Sequence, residues 1–297
     1  MATLYTLADS NVKKTWIYLA FFFGLIVLIG YIFSYYFGNQ FIFWFVFLLS
    51  VFMSISSFWF SDKIVLGLTK ARPIEKKDNP ELYRIVENLS ITAGLPTPKI
   101  YILDEMQPNA FATGRDPKNS VIVVTRGLLE KLDRTGLEGV LAHEISHIGN
   151  RDTLLATIVV ILVGMVIKLV ETFYRIGFRV KREREKEGIS PIFLLSLIFL
   201  ILAPILAQLV RFAISRKREF LADATGVLLT RYPEGLAGAL EKISKDSTSL
   251  KVANNATAHL YIINPFRGKE TQSWLTKLFS THPPVGERIA ALRQLKI

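Results

Sequence analysis

The chain has 297 residues, of which 51% are hydrophobic and 21 are Phe, and 36 Lys and Arg against 25 Asp and Glu give it a formal charge of +11. That length allows one or two domains, but so apolar a composition points to membrane segments rather than to a large soluble core. The absence of cysteine excludes disulfides and thiolate metal sites, and no aromatic-basic motif accompanies the cations to suggest nucleic acid.

Trp16 to Phe37 and Phe41 to Phe60 run without a charge, each long enough to cross a bilayer core. Lys13 and Lys14 imitate the start of a signal peptide. The apolar run is too long for one, however, and no small-residue cleavage site follows, so an anchor is expected. The link Gly38-Asn39-Gln40 is uncharged, whereas Lys13, Lys14, Lys63, Lys70, Arg72, Lys76 and Lys77 flank the other ends. The positive-inside rule therefore puts both ends of this hairpin in the cytoplasm, with the cations suited to anionic lipid.

Pro80 to Ala93 has Leu82, Ile85, Val86 and Leu89 on one face and predicts an amphipathic helix ended by Gly94-x-Pro96. Lys99 to Leu103 and Val121 to Thr125 are short β candidates, with Asn109-Ala-Phe-Ala-Thr-Gly114 between them. Such a sheet either buttresses the helix beside it or offers an edge strand to an extended peptide.

Val140 to Arg151 reads V-L-A-H-E-I-S-H-I-G-N-R. On a helix, His143 and His147 share one face, so both imidazoles can hold one ion, and Glu144 is placed to take a proton from an activated water. Zinc suits such ligands, because it accepts imidazole and carboxylate and can keep one position for water. Thr135 and Glu138 have the spacing of a capping box, Leu137, Val140, Leu141, Ile145 and Ile148 form an apolar stripe, and Gly149-Asn150 is a stop.

Leu154 to Ile167 is a third apolar run, short for a span unless Lys168 and Glu171 neutralise each other and let it continue to about Phe178. Ile192 to Val210 is a fourth, with a tolerated Pro204. If both cross, the loop with Arg179, Lys181, Arg182, Arg184 and Lys186 lies outside, against the charge rule. A pair that dips in and returns is the other topology.

A catalytic zinc needs three protein ligands. The H-E-x-x-H-x-x-G-x-x-H solution is excluded, since Asn150 and Thr153 occupy its later positions. His259, His282 and acids on a second helix are the candidates. Arg216-Lys-Arg-Glu219-Phe-Leu-Ala-Asp223-Ala puts Glu219 and Asp223 on one helical face, which is either an ordinary solvated face with Glu219 paired to Lys or Arg, or one that sets Glu219 on the metal and Asp223 to orient a ligand imidazole.

H-E-I-S-H-I-G-N-R, R-E-F-L-A-D-A, P-N-A-F-A-T-G and T-H-P-P-V-G-E-R-I together resemble the HtpX family of bacterial membrane zinc endopeptidases related to the CaaX prenyl proteases. The resemblance implies a mainly α integral membrane protein of about four transmembrane helices with a zincin-like α+β domain containing a small sheet. It implies one zinc ion held by His143, His147 and Glu219, Glu144 as the catalytic residue, and Asn109 and His282 facing the active site. His259 matches no role. The expected divisions are 1–72 for the first membrane hairpin, 73–152 and 211–297 for the two parts of the protease domain, and 153–210 for the second hairpin. The resemblance further implies a multi-pass inner-membrane enzyme, its active site toward the cytoplasm, cutting misfolded or damaged membrane proteins. Prenyl-peptide processing, a transporter using Lys168 and Glu171, and an adaptor with a purely structural metal are the rival readings.

Overall fold

A computed structural model describes residues 4–159, 161–162, 216–248, 260–263 and 283–295. Two long helices open the chain, α1 (Leu4–Phe37) and α2 (Gln40–Trp59). The turn between them needs Gly38, whose φ of 62° is left-handed, and Asn39 then caps α2 by accepting a hydrogen bond from the Phe41 amide at 2.9 Å. Within these helices Asp9–Tyr35 and Gln40–Trp59 are long and apolar enough to cross a membrane, with mean hydropathies of 2.4 and 2.2. Only 22% and 11% of their most apolar stretches are buried inside the protein, so neither is the core helix of a soluble domain. Trp16, Phe21, Trp44, Phe45, Phe52 and Trp59 are exposed instead, an apolar surface that lipid tolerates and water does not.

After α3 (Ser61–Thr69) comes a four-stranded sheet with β1 (Arg72–Pro73), β2 (Lys99–Leu103), β3 (Ala110–Gly114) and β4 (Ser120–Thr125), in the order β1-β2-β4-β3. The inner pair β2–β4 is parallel, whereas β1 and β3 run antiparallel to their neighbours. The motif 109–114, left between two strands in the sequence, is thus mostly an edge strand. The amphipathic helix falls where its pattern put it, as α4 (Pro80–Ala93), capped by Asn79 and closed by Gly94 at φ 65°.

Two helices, α5 (Arg126–Lys131) and α6 (Arg134–Gly149), follow β4. The start of α6 corrects the expected capping box. Asp133, not Thr135, is the cap, accepting from the Gly136 amide at 2.8 Å, and the Thr135 hydroxyl donates to the same carboxylate at 3.0 Å. A carboxylate one residue before the helix reaches the free amides directly, which leaves Thr135 inside the first turn. The helix ends at Gly149 as its sequence indicates, and Leu137, Val140, Leu141, Ile145 and Ile148 are all buried.

Three further helices close the domain: α7 (Arg216–Thr230), α8 (Pro233–Ser244) and α9 (Val285–Gln294). Helix α6 is enclosed by α4, α7, α8 and β3, so that even His143, Glu144 and Ser146 are buried. Of the third apolar run, Leu154, Leu155, Ile158, Val159 and Leu162 pack on Leu19, Phe22 and Ile26 of α1. The continuation of that run from 163 to Phe178, the pair Lys168 and Glu171, the loop from Arg179 to Lys186 and the run Ile192 to Val210 lie outside the described residues, as do His259 and His282.

Candidate metal centre

Glycine decides how closely α7 approaches α6. A Cβ on Gly226 would lie 3.0 Å from the His143 backbone nitrogen, so the two backbones meet more closely there than a side chain allows without a shift of a few tenths of an ångström. Asp223 and Glu219, three and seven residues earlier, share the face of α7 that carries Gly226 and are therefore aimed at α6. Asp223 Oδ1 lies 2.9 Å from His143 Nδ1, and the Glu219 carboxylate lies 3.8 Å from His143 Nε2 and 3.5 Å from His147 Nε2. One ligand atom from each of His143, His147 and Glu219 falls within 4.8 Å of the other two.

The partners of the two rings set their tautomers. His143 gives its Nδ1 hydrogen to Asp223, and His147 gives its own to Asp152, Oδ2 of which is 3.0 Å away. Both Nε2 lone pairs then face each other across 3.1 Å, a contact that two acceptors cannot sustain without a cation or proton between them. Charge says the same. With both imidazoles neutral and Glu144 ionised, Glu144, Asp152, Glu219 and Asp223 outnumber the nearby guanidinium groups of Arg218 and Arg288 by two, an excess that a divalent cation neutralises. The donor set fits a metal.

Protonation follows this field. Burial and the adjacent Arg288 push His143 down to about 4. Burial also opposes charge on His147, but its bond to Asp152 and the carboxylates of Glu219 and Glu144 outweigh that and raise it to about 9. Burial lifts Glu144 to about 7, and its carboxylate accepts a hydrogen bond from the Ala112 amide of β3. A buried carboxyl poised near neutrality, beside two facing imidazoles, is equipped to take and return a proton.

Among the residues expected from sequence, His143, Glu144, His147, Glu219 and Asp223 come together. Asn109 is buried at the head of β3, where its Nδ2 donates to the Ile263 carbonyl at 2.9 Å and its Oδ1 accepts from the Ile263 and Ala110 amides. It fastens the segment 260–263 to the sheet edge, and its Nδ2 also donates to Gln107 Oε1 at 3.5 Å.

Sequence reasoning missed two site residues. Asp152 stands five residues after His147, close enough to have been considered. Arg288, in the quoted T-H-P-P-V-G-E-R-I motif, is fully buried and grips both oxygens of Asp223, from Nε at 2.9 Å and Nη2 at 2.6 Å. Its Nη1 also donates to the Ile262 carbonyl at 3.2 Å. An Arg on the short helix α9 gives no signal by itself, since most are solvated.

Comparison with known proteins agrees with this geometry. Residues 76–296 match the model of peptidase family M48. The chain is 47% identical over 294 residues to a "Protease HtpX homolog" of Dictyoglomus thermophilum, covering 99% of this chain and 95% of that one. It is 45% identical over 285 residues to a namesake of Pyrococcus furiosus, covering 95% of each. The crystal structure of S. mikatae Ste24p superposes with a TM-score of 0.51 at 20% identity, over 96% of this chain and 66% of that one, a likeness of fold. Fold and site together define a membrane metalloprotease. The chain belongs to peptidase family M48, among the HtpX proteases.

Proposed function

We propose that this protein is a zinc-dependent endopeptidase that cuts membrane proteins in segments exposed to the cytoplasm. The observation that carries it is the meeting of two carboxylate-oriented imidazoles with Glu219, beside a buried Glu144. One zinc ion per chain, held by His143, His147 and Glu219, would supply a Lewis acid for the scissile carbonyl and an acidified water. Glu144 takes the proton of the attacking water on its carboxylate and hands it to the leaving amine. Asp223 and Asp152 hold the two imidazoles in their ligating tautomers.

An extended substrate would pair with β3. Ala112 faces outward from the sheet, as does Ala110, whose carbonyl already accepts from the Ile262 amide at 3.0 Å. Among the described residues the segment 260–263 fills one end of this edge, and a substrate would extend past it toward Ala112, whose amide meets the Glu144 carboxylate. Asn109 supports that end, and His282 is the proposed donor to the oxyanion.

Helices α1 and α2 would form a hairpin with both ends in the cytoplasm of a bacterial cell and its loop across the inner membrane. The packing of Leu154, Leu155, Ile158, Val159 and Leu162 on α1 supports a third segment that enters the bilayer alongside it, with Ile192 to Val210 returning. On this reading 153–210 interrupts a protease domain made of 73–152 and 211–297, after a membrane hairpin over 1–72. The pairing of α6 with α7 across that interruption supports it.

The decisive comparison uses Glu144→Gln in purified full-length protein. It should bind zinc as the parent does and cleave an unfolded protein at under about a hundredth of the parent rate. Near-parental cleavage would overturn the role of Glu144, and anomalous scattering at the zinc edge would identify ion and ligands together.

A further inference from the structure

The turn after α6 carries a connection that no motif announces. Arg151 takes a left-handed φ of 58°, and the chain reverses so that Asp152 reaches back to His147. The other carboxylate oxygen of Asp152 is held from two directions, by Asn11 Nδ2 at 2.7 Å and Arg218 Nε at 3.4 Å. The same Asn11 nitrogen donates to the carbonyl of Asn150, the residue that caps the C-terminal end of α6, at 3.0 Å. Both hydrogens of this amide are therefore spent on the C-terminal end of the helix that bears the two histidines.

Asn11 belongs to α1, just before the Lys13 and Lys14 that flank its apolar run, and is only 4% exposed. Burying an amide there is unfavourable unless it is bonded, and an anchor has no use for one. The use lies with Asp152, whose carboxylate must stay fixed for His147 to keep its Nδ1 hydrogen turned away and its Nε2 turned inward.

We propose that Asn11 is a positioning residue of the metal centre, acting through Asp152 on His147, so that the first membrane helix completes the site as well as anchoring it. This rests on the metal reading of His143, His147 and Glu219.

The test uses full-length protein in detergent, with zinc affinity measured by competition against a chromogenic chelator and the visible absorption of the cobalt-loaded form as a record of ligand geometry. Asn11→Ala should weaken zinc about tenfold, the lower end of the loss for an outer partner of a metal ligand, and shift the cobalt bands. Thr15→Val, which removes a buried hydrogen bond to the Asn11 carbonyl in the same helix, should change neither. In an Asp152→Ala background, adding Asn11→Ala should weaken zinc no further. Asn11→Ser, too short to reach Asp152, gives the same reading should the alanine variant fail to fold. Parental affinity and spectrum in the Asn11 variants, an equal loss in Thr15→Val, or full additivity with Asp152→Ala would each overturn the proposal while leaving the metal site standing. A parent protein that binds no divalent cation would overturn both.

Discussion

A proton and a cation compete for the space between His143 Nε2 and His147 Nε2. Without metal, burial and Arg288 keep His143 neutral, while His147, despite its burial, is raised to about 9 by Asp152, Glu219 and Glu144. Metal binding must displace that proton. Apparent zinc affinity should therefore climb by up to about tenfold per pH unit below about 9 and level off above it. Calorimetry in two buffers of different ionisation enthalpy reads the proton released, and a release of none near neutral pH would contradict the assignment. Arg288 makes a second prediction at this scale. Removing it strands the buried carboxylate of Asp223, and breaking a buried pair typically costs about 3–5 kcal/mol. Arg288→Ala should unfold at a markedly lower temperature and bind zinc less tightly, while Arg288→Lys, which cannot grip both oxygens, should fall between.

The elements meet through small residues placed where backbones touch. Gly226 admits α7 to α6, and Gly139 admits α8 on another side, where a Cβ would come within 2.6 Å of the Leu236 nitrogen. Gly226→Ala should force the helices apart, at a typical overpacking cost of about 1–3 kcal/mol. It would carry Glu219 and Asp223 away from the histidines, so zinc affinity should fall with stability. Unchanged affinity would mean that α7 has another way to accommodate the methyl. Asp133 joins α6 to α8 through Lys242 at 2.8 Å while capping α6. The bond to Lys242, then those from Gly136 and Thr135, lower its carboxyl to about 2. A depressed folded pKa stabilises above the unfolded value, and that benefit is lost as pH falls from about 4 toward 2. Asp133→Ala should cost about 1 kcal/mol in thermal unfolding at neutral pH. Asp133→Asn, which keeps the cap, should cost less and lose its deficit against the parent as the pH approaches 2.

On the scale of the whole molecule, the lipid-facing surface and the buried site belong to one structure. Leu154, Leu155, Ile158, Val159 and Leu162 pack on α1 immediately after the metal helix, and Thr157 hydrogen-bonds Thr113 of β3 at 2.9 Å. The exposed aromatic faces of α1 and α2 predict that alkaline carbonate leaves the protein in the membrane pellet. Release into the supernatant would exclude the spans.

The membrane helices, α4 and the paired histidines of α6 were all legible as sequence, because each is a local periodicity or spacing, whereas Glu219 and Asp223 of α7 needed the family resemblance to be told from a solvated face. His143 and His147 need only one helical turn to share a face, and Trp16 to Phe37 needs only a lack of charge. Contacts between residues far apart in the chain left no such trace. That Arg288 clamps Asp223, that Asn11 clamps Asp152 and that Asn109 is spent on Ile263 are facts of how helices and loops dock, since one side chain's partner depends on every element between them. The residue types of the metal site followed from sequence by itself, whereas the hold on those residues was decided by tertiary packing, which brings together groups that no local pattern can relate.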